Sequence, residues 1–200
     1  MSEAHSHSLL PCSVEEVDDF LSEPGEGVLK TLESIDGDVL VLGAGGKMGL
    51  HLCRMLKKGF RQLGKDRTVW AASRFKSLSS RDVYEASEVK TLVGDFEDQA
   101  FVDALPECPV VFYLVGAKFG TAGNPDMLRR INVEVSKRIA ERFKASRIVA
   151  FSTGCVYSYV SRDSGGSTET SAMEPIGDYA HSCIGREQAF VDGSIKHGTP

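Results

Sequence analysis

The chain has 200 residues, 42% of them apolar, and a formal net charge of −5. That length and apolar share suffice for one domain with one sizeable core, and an acidic balance without clustered Lys and Arg argues against a nucleic-acid partner. No apolar run approaches the about 20 residues of a membrane span, and Met1-Ser2-Glu3-Ala4-His5 lacks the basic-then-apolar layout of a signal peptide, so a soluble cytoplasmic protein is expected.

The first dozen residues carry no periodicity and are expected to be disordered. His5 and His7 stand there without a rigid third ligand, so no metal site is assigned. Ser13-Val14-Glu15-Glu16 is a capping-box start for a short helix running to about Leu21 and stopped by Pro24-Gly25. Val28, Leu29, Leu32 and Ile35 predict a second short helix over about 28–35. Residues 1–36 are thus read as a tail and helical extension packed on a domain filling 37–200.

From Asp38 the texture changes. Short aliphatic runs alternate with amphipathic stretches: Val39-Leu40-Val41-Leu42, Thr68 to Ala72, Val89 to Val93, Val110 to Val115, and Arg147 to Phe151. Continuous apolar runs predict strands buried on both faces, as in a parallel sheet covered by helices. Leu52, Met55, Leu56 and Leu63 mark one face of a first helix, and Ile131, Val135, Ile139 and Phe143 one face of another. The basic stretch Arg54 to Lys58 is expected to be a solvated helix face. Ser158 to Ile176 reads as a surface loop, followed by a helix from about Asp178 to Val191. The whole is a doubly wound α/β fold of Rossmann type with five strands, and ligands are expected at the carboxyl ends of the strands. The five cysteines (Cys12, Cys53, Cys108, Cys155 and Cys183) are odd in number and form no Cys-x-x-Cys pair, so reduced thiols are expected.

Gly43-Ala44-Gly45-Gly46-Lys47-Met48-Gly49 follows the first run and opens the first helix. Gly43 permits a tight turn, Gly46 lets backbone amides approach a pyrophosphate, and Gly49 lets the helix lie close on the strand. The helix N-terminus adds free N–H groups and partial positive charge. Gly46-Lys47-Met48 lacks the Ser or Thr of a nucleotide-triphosphatase loop, so a dinucleotide is the better ligand. Ser73-Arg74 stands at the end of the second run, where an acidic residue would accept from a ribose 2′-hydroxyl. A hydroxyl followed by a guanidinium suits a 2′-phosphate, so NADP is favoured and NAD is second. Asp95-Phe96 fits the edge and face of an adenine, with a helix N-cap as the alternative for Asp95.

These residues, with Val115-Gly116-Ala117, Asn132, Ser152-Thr153-Gly154-Cys155-Val156-Tyr157, Tyr179 and Glu187, resemble the extended short-chain dehydrogenase/reductases, including the NAD-dependent epimerase/dehydratases that act on nucleotide sugars. The resemblance covers roughly Asp38 to Phe190. It implies cofactor binding by the glycine loop, Ser73, Arg74, Asp95, Phe96, Val115, Gly116, Ala117, Asn132 and Tyr179. It also implies a hydroxylated, sugar-like substrate whose oxygen is positioned by Thr153 and exchanges a proton with Tyr179, while hydride moves to or from nicotinamide. A homodimer is left open.

One position departs from the family. Its Tyr-x-x-x-Lys motif has cysteine here: Tyr179-Ala180-His181-Ser182-Cys183. The family's lysine lowers the phenol pKa and hydrogen-bonds the nicotinamide ribose, and a neutral thiol does neither. A charge about 4 Å away at an effective dielectric of about 20 contributes up to about 4 kcal/mol. Its loss leaves the phenol near about 10, and catalysis slowed. Lys118 and Arg186 are the cations placed to substitute, and Cys183 itself is a conceivable covalent nucleophile. A non-catalytic dinucleotide-binding sensor or interaction module is the alternative reading. The family continues into a sixth strand and a substrate lobe that this chain would lack, so weak cofactor binding and low turnover are expected.

Overall fold

A computed structural model of the chain describes residues 11–76 and 81–199, so the expectations for the first residues, His5 and His7 included, lie outside the described residues. Helix α1 (Val14–Leu21) starts at the capping box, with the Glu16 amide donating to the Ser13 hydroxyl at 3.2 Å. The return arm is displaced by one residue, because the Glu16 carboxylate accepts from the amide of Cys12. Helix α2 (Glu26–Glu33) begins directly after Gly25, earlier than its apolar spacing indicates. Its end is capped from outside: the Lys65 ammonium donates to the Leu32 carbonyl at 3.5 Å and, just past the helix, to that of Ile35 at 3.3 Å.

Five strands follow: β1 (Val39–Leu42), β2 (Val69–Ser73), β3 (Lys90–Val93), β4 (Val110–Tyr113) and β5 (Arg147–Ala150). All pair in parallel, in the order β3-β2-β1-β4-β5, with Val39 aligned to Val69 on one side and Val110 on the other. In β1, Val39 and Val41 enter one core while Leu40 and Leu42 enter the other, which is why its apolar run is unbroken. The expectation of two buried faces fails at the sheet edges, where Val93 is 53% and Val149 40% exposed. Both cores are built mainly on β1, β2 and β4, so the outer strands are only partly covered.

Helix α3 (Gly49–Gln62) covers one face, with Leu50, Cys53, Leu56 and Phe60 buried. The predicted stripe was Leu52, Met55, Leu56 and Leu63; apart from Leu56 these are half-buried flanks. The difference comes from α1 and α2, which pack on the outer side of α3 and leave its exposed positions few. Gly59 makes the approach possible, since a Cβ there would lie 2.4 Å from Leu32 Cδ1. For the same reason Arg54, Lys57 and Lys58 are not a solvated face. They are half-buried and paired with Asp18, Glu88, Asp19 and Glu23 at 3.4–3.9 Å.

The connection from β2 to β3 contains α4 (Arg81–Glu85), and α5 (Gln99–Asp103) follows β3. After β4 comes a helix in three parts: α6 (Pro125–Leu128), a π turn (Arg129–Glu134) and α7 (Val135–Arg142). Val135, Ile139 and Phe143 are buried as their spacing predicts, but the wider π turn leaves Ile131 half-buried and carries Asn132 fully inside. The last helix, α8 (Asp178–His197), runs past the predicted end at Val191 to a left-handed Gly198 at φ +67°. Glu141 of α7 holds that extra length, accepting from Lys196 at 2.8 Å and pairing with His197 at 2.9 Å. Phe190 of α8 packs edge-on against Tyr113 of β4, with ring centroids 4.8 Å apart. Cys53, Cys108, Cys155 and Cys183 are free thiols, and among the described residues no helix is long and apolar enough to cross a membrane.

Candidate functional site at the carboxyl end of the sheet

The strand order reverses at β1, from which the chain moves out to β2 and β3 and then returns to β4. Such a switch point opens a crevice above the carboxyl ends of the strands. A cavity of about 330 Å³ lies there, floored by Gly43, Gly45 and Gly46 and walled by the segments after β2, β3 and β4.

The glycines of the loop have three different reasons for being glycine. Gly43 sits at φ +79°, and a Cβ there would lie 2.8 Å from the backbone at Leu114 and Val115, so it lets the loop touch the end of β4. Gly49 is closed off by the loop itself rather than by the strand: its Cβ would lie 1.9 Å from the Ala44 carbonyl oxygen. Gly46 is exposed, and the nearest atom to its Cβ would be the Gly43 oxygen at 3.4 Å. No internal contact demands glycine at 46, which leaves close approach of a ligand as the physical reason.

Helix α3 begins at this loop without a side-chain cap and without an acidic residue in its first turn. The amides of Gly43 and Ala44 are taken by Ala72, and those of Gly46 and Gly49 by the loop. Those of Gly45, Lys47 and Met48 have no backbone partner among the described residues. A helix start of this kind wants an external acceptor, and an anion is the natural one. The loop is braced from below by Tyr84 of α4, whose hydroxyl donates to the Ala44 carbonyl at 2.5 Å. Tyr84 and its ring partner Phe75, at φ +47°, belong to no sequence motif.

At the rim, Ser73 presses its hydroxyl against the loop, and Arg74 lies 3.7 Å from the Asp95 carboxylate. Asp95 is not a helix cap. It accepts from the Glu97 amide in a tight turn, and Asp98 caps α5 by accepting from Ala100 at 2.9 Å. Phe96 lines the cavity but is largely buried, tilted against Phe101 at 5.6 Å. Lys76 also lines this end. Val115, Gly116 and Ala117 form the opposite wall with Lys118, whereas Lys47, Met48 and Gly49 lie outside it.

Asn132 stands behind that wall. Its amide oxygen accepts from the Ala117 amide at 2.7 Å, and its nitrogen donates to the Ala117 carbonyl at 3.0 Å and the Ser182 hydroxyl at 2.8 Å. Ser182 in turn donates to the Tyr179 carbonyl at 2.7 Å. Asn132 therefore ties the β4 loop to α8 at Tyr179, with both amide protons used inside the protein. No motif in the sequence singles out Ser182.

α8 brings Tyr179 beside the segment after β5. Thr153 caps the short turn Gly154–Val156, accepting from Cys155 at 3.3 Å, and its hydroxyl also reaches the Tyr179 phenol. Cys183 is fully buried one turn after Tyr179, and the Lys118 ammonium lies 5.3 Å from the Tyr179 ring centroid. Burial is the main cause that pushes the phenol pKa above its usual value of 10.0; Cys183 adds to the rise, and Thr153 and Arg186 oppose it. Ser152 donates to the Glu187 carboxylate. Lys118 and Thr153, from the segments after β4 and β5, thus join Tyr179, Cys183 and Arg186 of α8 in one cluster next to the cavity wall.

The sheet order and the glycine loop at its switch point define a Rossmann-type α/β protein. The sequence model of the NAD dependent epimerase/dehydratase family matches residues 39–192, and the chain belongs to that family. Comparison with curated proteins finds no match. Among solved structures, the UDP-Glc/GlcNAc 4-epimerase from Campylobacter jejuni is similar with a TM-score of 0.67 and 20% identity, over 82% of this chain and 50% of that one. The UDP-glucuronic acid 4-epimerase from Bacillus cereus, in complex with UDP-glucuronic acid and NAD, gives 0.67 and 20% over 82% and 54%. MoeE5, in complex with UDP-glucuronic acid and NAD, gives 0.63 and 25% over 79% and 50%. The chain spans about half the length of these structures.

Proposed function

We propose that this chain carries the cofactor half of a nucleotide-sugar epimerase, dehydratase or reductase that works with a nicotinamide dinucleotide. The observation that carries the reading is the uncapped start of α3 behind Gly46, at the floor of the switch-point cavity. The free amide of Gly45 at the cavity floor, with those of Lys47 and Met48 at the helix start just beyond it, suits a pyrophosphate, and Val115, Gly116 and Ala117 line the opposite wall. The bound dinucleotide supplies hydride transfer. The Thr153 hydroxyl holds the substrate oxygen, and the Tyr179 phenol gives or takes its proton. With burial raising the phenol pKa and no lysine at position 183, proton transfer is slower than in a site with the full motif.

The matched family is described as NAD dependent, and two of the neighbours named above, MoeE5 and the Bacillus cereus epimerase, were solved with NAD. Arg74 and Lys76, both at the adenosine end of the cavity, favour a 2′-phosphate in this chain, although Arg74 is shared with Asp95. Incubation with NAD or NADP and a panel of UDP-sugars, following hydride exchange and product, tests the reading. The expected outcome is slow turnover with at least one UDP-sugar and tighter binding of NADP than NAD. No exchange and no product with any pair would overturn it.

A further inference from the structure

The inference rests on the reading of Tyr179 as the proton-handling group and concerns where its positive charge comes from. α8 presents Tyr179, Cys183 and Arg186 at helical spacing along one face. Arg186 is only 6% exposed, and among the described residues no carboxylate pairs with it. Its Nη1 reaches the Val115 carbonyl at a long 3.5 Å, and its Nε has no hydrogen-bond partner. A buried guanidinium left without a counter-ion is costly, and such groups persist where the charge acts on something. Its charge favours the ionised forms of two phenols, Tyr113 and Tyr179, the latter two turns earlier on the same face of α8, while burial outweighs it at both.

The fold makes room for this arrangement. A Cβ on Gly116 would stand 2.8 Å from Nη1, so the glycine lets the guanidinium lie directly behind the cavity wall. Lys118 is placed differently: its ammonium lies over ring faces, 5.3 Å from the centroid of Tyr179 and 5.8 Å from that of Phe119, on an exposed loop. At that exposed position solvent and salt screen the ammonium, whereas the buried Arg186 charge is screened far less.

We propose that Arg186, and not Lys118, is the positioning residue that replaces the missing lysine by supplying positive charge to the Tyr179 phenol. Cys183 then fills the vacated space as a compact buried thiol.

The test is a pH titration of the phenols in protein carrying tyrosine labelled at Cζ, followed by NMR, with the Tyr179 signal assigned by Tyr179→Phe. It needs neither cofactor nor substrate, so its outcome is separable from that of the oxidoreductase reading. Arg186→Gln is expected to raise the Tyr179 pKa by about one unit, as removal of a nearby opposite charge does. Arg186→Lys, which keeps the charge, is expected to restore most of the wild-type value. Lys118→Met is expected to leave it in place. Gly116→Ala, which drives the guanidinium back with Arg186 still present, gives a smaller rise and decides the matter if Arg186→Gln does not fold. A phenol unmoved by both Arg186→Gln and Gly116→Ala, or moved as far by Lys118→Met, would overturn the proposal.

Discussion

Replacing Gly49 with alanine is expected to remove dinucleotide binding and destabilise the whole sheet end. The added Cβ would lie 1.9 Å from the Ala44 oxygen and 2.5 Å from its carbonyl carbon, and backbone atoms cannot step aside as a flexible side chain does. Either the loop opens or the first turn of α3 unwinds. Ala44 is itself pinned, by Tyr84 below and by the Ala72 carbonyl on β2. The cost expected is about 3 kcal/mol, the upper end for overpacking a tight site. Two misplaced amide contacts to a pyrophosphate cost a further factor of about 100 in affinity. Urea melts and a cofactor titration check both numbers. A Gly49→Ala protein with an unchanged midpoint would mean the loop has slack that its contacts do not show.

The second large effect is at α8. Tyr179→Phe is expected to lower turnover by ~10²–10⁴-fold, the usual contribution of a positioned acid–base group. Cys183→Lys is expected to act in the opposite direction. Its ammonium would stand beside a phenol whose pKa burial and the thiol now hold up, and would lower that value. With Arg186 already present the gain is about one unit, or about tenfold in rate at neutral pH. Position 183 is fully enclosed, so the longer side chain also costs about 1–3 kcal/mol of stability through overpacking. A rate gain identifies a slowed enzyme. Inactivity of both forms with every UDP-sugar favours the binding-module alternative, which the buried thiol at 183 keeps in view.

The parts of the fold legible in the sequence are those whose signal is local. The β1 run and the glycines at 43, 46 and 49 are written in consecutive residues, and they fix the switch point and the loop together. What was not legible depends on contacts made across the chain. The buried stripe of α3 does not follow from its own periodicity because α1 and α2 cover its other side, and the same packing draws Arg54 and Lys58 out of solvent. α4 is five residues long, too short for a periodicity, yet it delivers Tyr84 to the loop. The π turn that carries Asn132 inward has no sequence signature, and its partners Ala117 and Ser182 lie 15 and 50 residues away. The cluster at Tyr179 is half visible: the motif residues stand out in sequence, but the choice between Lys118 and Arg186 turns on burial, which only the fold decides.

The central claim is that a nicotinamide dinucleotide lies across the glycine loop with its reactive end toward Tyr179. The most direct measurement is an amide NMR titration of the labelled chain with NAD and NADP into the millimolar range, which reads weak binding as well as strong. The account predicts that the amides of Gly45, Gly46, Lys47, Asp95 and Gly116 shift together, and that Gly49→Ala abolishes the response. Shifts confined to other surfaces, or none at millimolar dinucleotide, would contradict it.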